Sequence, residues 1–153
     1  MGFFDRFKGK KSDPAVEAVT NLTLKHLKPG FLVDYDLATW EVKAAHSYDW
    51  GGYPSYEWQL VSATQTLYLA LETDDADEWS VSWEIDFASL GEQVRQSILE
   101  TDDPPEEITY QGVTYYLEES SGGHFYQNGQ ADQAAVGKEL LSWDYEDESG
   151  EQY

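Results

Sequence analysis

The sequence predicts a mainly β fold of the α+β kind: an antiparallel, barrel- or sandwich-like sheet with one central helix packed on it and a short N-terminal helix. Three observations predict it. Six Trp, eleven Tyr and six Phe stand among 153 residues, and aromatic rings favour the half-buried pleated surface of a strand. Apolar residues alternate strictly with others at Leu67, Leu69 and Leu71, and again at Trp79, Val81, Trp83 and Ile85, the period of a strand with one buried face. One segment, residues 89–100, instead spaces Leu90, Val94 and Ile98 by four, as a helix with an apolar stripe does.

Taken in order, the chain opens with MGFFDRFKGKK. Phe3, Phe4 and Phe7 fall on one side of a helix, with Arg6, Lys8, Lys10 and Lys11 around the other. Gly9 limits that helix to about two turns, too short to hold in water alone, so the segment reads as an anchor that folds on a membrane surface or a partner, or as a start docked on the protein's own core. Residues 1–12 are therefore set apart as a tail and residues 13–153 as one globular domain. Ser12 or Asp13 as cap and Pro14 in the first turn predict the short N-terminal helix. Alternation at Leu22 and Leu24, a turn at Pro29-Gly30 and the strand FLVDY come next.

Two strands follow, near Trp40–His46 and Tyr56–Ser62, joined by a loop containing Asp49, Gly51, Gly52 and Pro54. The first places Trp40, Val42 and Ala44 on one face, and the second Tyr56, Trp58 and Leu60. The leucine and tryptophan strands come after them, with DDADE, residues 74–78, at the tip between. Its carboxylates invite a calcium reading, but the central glycine of such a loop is missing, so a solvated hairpin tip is the better one. Ser89 and Glu92 have capping-box spacing for the central helix, and TDDPP at 101–105 ends it, because proline has no amide to give. ITYQGVTYYLEE forms a hairpin around Gln111-Gly112, SSGG leads into a further strand HFYQ, and ELLSWDYED is the last strong strand, with Leu141, Trp143 and Tyr145 on one side.

Charge narrows the function. Nine Lys and Arg against 30 Asp and Glu leave −21. A surface so negative repels phosphates, which excludes nucleic acid as the partner of the body of the domain and favours cations, polyamines or basic protein surfaces, or else serves solubility. The tail runs against this trend: four cations against Asp5 make it +3, leaving −24 on residues 13–153. There is no cysteine, so disulfides, thiolate zinc sites and a cysteine nucleophile are excluded. No apolar run approaches the roughly 20 residues of a spanning helix, and no signal-peptide core is present. The expected setting is the cytoplasm, peripheral to the inner membrane surface where the tail docks there.

No phosphate loop, nucleophile elbow, zinc helix or dinucleotide fingerprint is present, and no cofactor or metal site is expected. His26, His46 and His124 lie far apart. His46 and His124 border glycine-containing loops and, with Asp49, would make an acid/base group if the fold brought them together. Tyr48, Asp49, Trp50 and Tyr53 offer a different chemistry, since carboxylates and ring faces hold ammonium groups through cation–π contacts of roughly 0.5–2 kcal/mol each. The competing reading is a loop tied down by its own rings.

The segments KPGFLVDYDLATWEVKAAHSYDWG, YEWQL, ILETDDPPEEITYQGVTYYLEE, GGHF and ELLSWDYEDESGE, in that order across residues 22–151, resemble the bacterial domain-of-unknown-function family DUF4178. The resemblance implies a β-rich domain with no established activity and no agreed catalytic residues. It also implies a genomic neighbourhood of spermidine-synthase-like enzymes, small membrane proteins and phage-shock-type membrane-maintenance proteins. Relatives of this kind continue past ESGE into another strand, and some carry a zinc-binding extension absent here. The expected function is a non-catalytic accessory domain that docks to a protein partner or a membrane surface through the tail. The alternatives are a polyamine- or cation-binding module at His46, Tyr48, Asp49, Trp50, Tyr53 and His124, and, third, an enzyme.

Overall fold

A computed structural model describes residues 24–127 and 137–151. The fold is mostly antiparallel sheet, with a single α-helix and one 3-10 turn among the described residues. The expected N-terminal helix lies outside them. Two compact units are formed, one from residues up to 83 together with 123–139, the other from 84–122 and 140 onward.

The first unit holds β1 (Leu32–Tyr35), β2 (Ala38–Asp49), β3 (Pro54–Val61), β4 (Thr66–Thr73) and β5 (Asp77–Ser82), paired antiparallel in sequence order. On the opposite edge of β2 from β3, β1 takes the start of the strand, and the end of β7 (Val113–Tyr126) takes Ser47–Asp49. At the far side β5 pairs, among the described strands, only with β4, and this sheet is not closed into a barrel. The turn between β1 and β2 is Asp36-Leu37 with φ of 49° and 62°, the left-handed pair that a tight two-residue hairpin needs, supplied here without glycine. Leu37 is fully exposed at its tip.

One face of this sheet is the core. Val33, Trp40, Val42, Trp58, Leu60, Leu69 and Leu71 are buried on it, and Leu24 and Leu27 pack against them. Leu24 lies in a helical turn, where the Leu27 amide reaches the Leu24 carbonyl, and not in the alternating stretch expected from Leu22 and Leu24. The indole N–H groups inside are satisfied: Trp58 donates to the Leu27 carbonyl at 3.0 Å and Trp40 to the Tyr35 carbonyl at 2.9 Å. Trp58 also stacks on Trp79 at 5.7 Å. Each fully buried aliphatic side chain contributes roughly 1.5–3 kcal/mol, so this layer dominates the stability of the unit.

A β-bulge sets which residues share each face. Val42 pairs with Leu60 but Ala44 pairs with Gln59, so Lys43 is an extra residue on β2. The bulge exchanges the faces beyond it. Ala45, Ser47 and Asp49 continue the side of Trp40 and Val42, and Ala44 moves to the other side, against the expectation from plain alternation.

In the second unit a 3-10 turn (Phe87–Leu90) leads into α1 (Glu92–Thr101). The expected capping box does not form, because the helix starts later: Gly91, at φ 97°, is its N-cap, and Ser89 donates back to the Asp86 carbonyl. On the predicted stripe Val94 is buried and Leu90 and Ile98 are half-buried, while Leu99, off the stripe, is exposed. β6 (Glu107–Tyr110) and β7 form the expected hairpin on Gln111-Gly112, with positive φ at both. Within the unit β8 (Lys138–Asp147) pairs with β7, and Tyr145 Oη donates to the Pro105 carbonyl. Leu141 is exposed, Trp143 and Tyr145 half-buried. SSGG does not break the chain: β7 runs through it as one strand of 14 residues. Trp83 and Ile85, expected to extend the tryptophan strand, lie beyond its end at Ser82 and are exposed.

Candidate functional site

The loop expected between His46 and Tyr56 is mostly strand. β2 runs to Asp49 and β3 begins at Pro54, so only residues 50–53 turn. Asp49 organises that turn through Oδ1, which accepts the Gly52 amide at 2.7 Å, and the Trp50 amide donates to the Tyr53 carbonyl at 3.0 Å. Gly51 and Gly52 sit at φ 72° and 103°, conformations that glycine adopts without a steric penalty.

Strand alternation then separates the six expected site residues. His46 and Tyr48 lie on the face away from the core, where both rings touch Phe125, at 5.0 Å and 5.2 Å between centroids. Trp50 joins them, stacked on Tyr48 at 5.6 Å and 7°. Asp49 and His124 are direct cross-strand partners and therefore share the opposite face with Ser47. The acid/base group of His46, His124 and Asp49 is thus not assembled, because its two histidines belong to different faces. Tyr53 is 62% exposed at the turn. Nor do Tyr48, Trp50 and Tyr53 form a box: two of the rings cover each other.

The face carrying His46 and Tyr48 gathers further groups from β3 and β4. Glu57 stands opposite His46, Ser55 opposite Tyr48, and Tyr68 opposite Gln59. Tyr48 Oη donates to Glu57 Oε1 at 3.2 Å, Trp50 Nε1 to Ser55 Oγ at 2.9 Å, and Gln59 Nε2 to Tyr68 Oη at 3.4 Å. Burial first, and then the charge and hydrogen bond of Glu57, hold the Tyr48 phenol well above its ordinary range, so it stays a donor. Burial lowers the His46 imidazole and favours its neutral form. Trp50 is seated over Gly123, where a Cβ would come within 2.6 Å of the Asp49 carbonyl oxygen and 2.7 Å of the indole.

The result is a half-buried carboxylate hydrogen-bonded to the Tyr48 phenol, with His46 opposite it on the neighbouring strand and stacked rings along one rim. Such a surface can hold a cation by charge, hydrogen bond and ring face together. Glu57, Gln59, Tyr68 and Phe125 were not among the expected site residues. Period-two alternation of β3 and β4 does place Glu57, Gln59 and Tyr68 opposite the leucines, but polar residues there ordinarily face solvent and signal nothing. Phe3, Phe4, Arg6, Phe7, Lys8, Lys10 and Lys11 lie outside the described residues.

Residues 28–153 match the family model described as a domain of unknown function, DUF4178. A protein of Aquifex aeolicus (strain VF5), described as uncharacterized, is 28% identical over 154 residues, an alignment that spans 99% of this chain and 82% of that one. No solved structure matches the chain.

Proposed function

The chain belongs to the DUF4178 family, and from that premise we propose that it is a non-catalytic accessory domain that docks to a partner by holding a cationic group against Glu57. The observation that carries this reading is the Tyr48–Glu57 hydrogen bond on the face away from the core. It fixes one carboxylate in a half-buried aromatic setting, in a protein of net charge −21. The separation of His46 from His124 supports binding over acid/base chemistry.

An ammonium group reaches this face either on a partner's lysine or in a free polyamine. Calorimetric titrations with spermidine and with a short lysine peptide, against magnesium at matched ionic strength, test the shared chemistry and separate the sources. Heat beyond that of magnesium, abolished by Glu57→Gln, is expected for one or both. If neither ligand exceeds magnesium, the reading fails.

The basic tail supports a second reading, peripheral attachment to the cytoplasmic membrane surface. Each basic residue near an anionic leaflet contributes roughly 1 kcal/mol, and three phenyl rings add apolar insertion. No helix among the described residues is long and apolar enough to cross a membrane. Flotation of the full chain with anionic liposomes, released by salt and lost when Lys8, Lys10 and Lys11 become Glu, is the expected result. A chain that stays at the bottom of the gradient with wild-type lysines excludes it.

A further inference from the structure

The sheet of the first unit ends at β5, and that edge is unusually regular. All six of its residues pair with β4 without a bulge, it contains no proline, and no other described strand covers its outer side. Edge strands ordinarily protect their free amides and carbonyls with lysine, proline or a bulge. Here β5 has no lysine, proline or bulge of its own. Not one Lys or Arg occurs between Lys43 and Arg95, so β3, β4 and β5 supply no cation of their own.

What stands there instead is negative. Asp74, Asp75, Asp77 and Glu78 are exposed at the β4–β5 tip and the start of β5, and Asp77 is partnered by Lys25. Like charge opposes the addition of a second copy of this chain, at −21 overall, whereas a basic strand meets attraction; the same carboxylates thus reject one partner and select another. At the other end of β5, Trp83 is 66% exposed, a ring available to a lysine or arginine through a cation–π contact.

We propose that the open edge of β5 is a strand-addition site for an extended basic segment of a partner protein. The incoming strand pairs its main chain with Asp77–Ser82, as edge-adding peptides do. Its side chains follow from those of β5. Trp79 and Val81 pack on the core side and Glu78, Ser80 and Ser82 face the other way, so the segment alternates apolar residues beside Trp79 and Val81 with basic residues beside Glu78. The site lies one strand beyond the Glu57 face and shares with the preceding reading only the cationic character of the partner.

The test titrates the isotope-labelled full chain at low salt with a peptide of alternating valine and lysine, and follows amide hydrogen exchange residue by residue. The expected result is slowed exchange at alternate amides within Asp77–Ser82. Replacing the peptide's lysines by glutamate should abolish binding, and replacing its alternate valines by proline, which removes main-chain donors, should weaken it by about tenfold or more. On the protein, neutralising Asp74, Asp75 and Glu78 together, or Trp83→Ala, should each weaken binding by about tenfold. Glu57→Gln should leave it unchanged, which keeps this outcome apart from that of the Glu57 reading. Binding with no protection in β5, equal binding of the glutamate peptide, or loss of binding on Glu57→Gln would each overturn the proposal.

Discussion

The two faces of the first unit's sheet are built from the same strands by opposite means. On the core side, Val42, Leu60 and Leu69 are wholly buried; the indole N–H groups of Trp40 and Trp58 have partners, and the Ser47 hydroxyl is buried there without one among the described residues. On the other side, Tyr48, Trp50, Glu57, Gln59 and Tyr68 are joined by hydrogen bonds and stacked rings while remaining accessible. The first face gains stability from removing apolar area from water. Net stabilisation from the second is small, because its hydrogen bonds replace others made to water. What it gains is a fixed arrangement of chemically useful groups. A face that contributes little to holding the fold together is free to be shaped for a ligand.

Removing a core leucine should show that asymmetry most strongly. Leu60→Ala, at a wholly buried position, should lower the unfolding free energy by about 2–5 kcal/mol in urea denaturation. Gly123→Ala comes next, because the added methyl meets the Asp49 carbonyl and the Trp50 ring; a loss of about 1–3 kcal/mol is expected, with a changed Trp fluorescence spectrum reporting the displaced indole. A destabilisation as large as that of Leu60→Ala would show that the second face is a structural layer in its own right.

Tyr48→Phe removes one hydrogen bond and should cost about 1 kcal/mol near neutral pH. Its pH dependence is the sharper readout. The folded state keeps the phenolic proton longer than the unfolded chain does, so this stabilisation is complete below about pH 10, the ordinary tyrosine value, and is lost as pH rises above it. Above that pH the phenylalanine variant should lose less stability than the parent, a difference read from unfolding curves. Tyr116 and Tyr145 are raised too, and they cancel in that comparison.

His46 has the opposite sign. Its imidazole is lowered by burial, so the unfolded chain takes up the proton first and stability declines as pH falls below about 6.5. A nuclear magnetic resonance titration of its ring should give a midpoint below that value, and His46→Gln should flatten the decline. The smallest effect belongs to Tyr53→Ala. With the ring 62% exposed at the turn, a change within about 0.5 kcal/mol is expected; a larger loss would place Tyr53 in the ring cluster.

The core face was legible in the sequence because apolar alternation is a direct record of burial: Leu67, Leu69, Leu71, Trp58 and Leu60 all lie where period two puts them. The 3-10 turn was not legible, since the Ser89–Glu92 spacing suits a cap and only the backbone of Gly91 moves the helix start. Gly122-Gly123 suggested a break for a similar reason. Glycine in a strand carries no local mark of whether it bends the chain or admits a neighbour, and here Gly123 admits Trp50. As for the candidate site, its rings and His46 stood out by type, but Phe125 is brought to them by a pairing of β2 with β7 across 77 residues, Tyr48 to Phe125, which no local pattern encodes.

The bulge at Lys43 makes the whole of this arrangement a matter of odd and even counting. Before it, even-numbered residues of β2 are interior; after it, odd-numbered ones are. A relative that had lost this one residue would pair its counterparts of Val42 and Ala44 with those of Leu60 and Gln59 in unbroken alternation, so its counterparts of His46 and Tyr48 would keep the outer face and those of Ala45 and Ser47 the inner one. A single deletion there is therefore compatible with both faces so long as the bulge goes with it, and the parity of the interval between the Trp40 and Asp49 counterparts, odd with the bulge and even without it, tells from sequence alone whether a relative carries it.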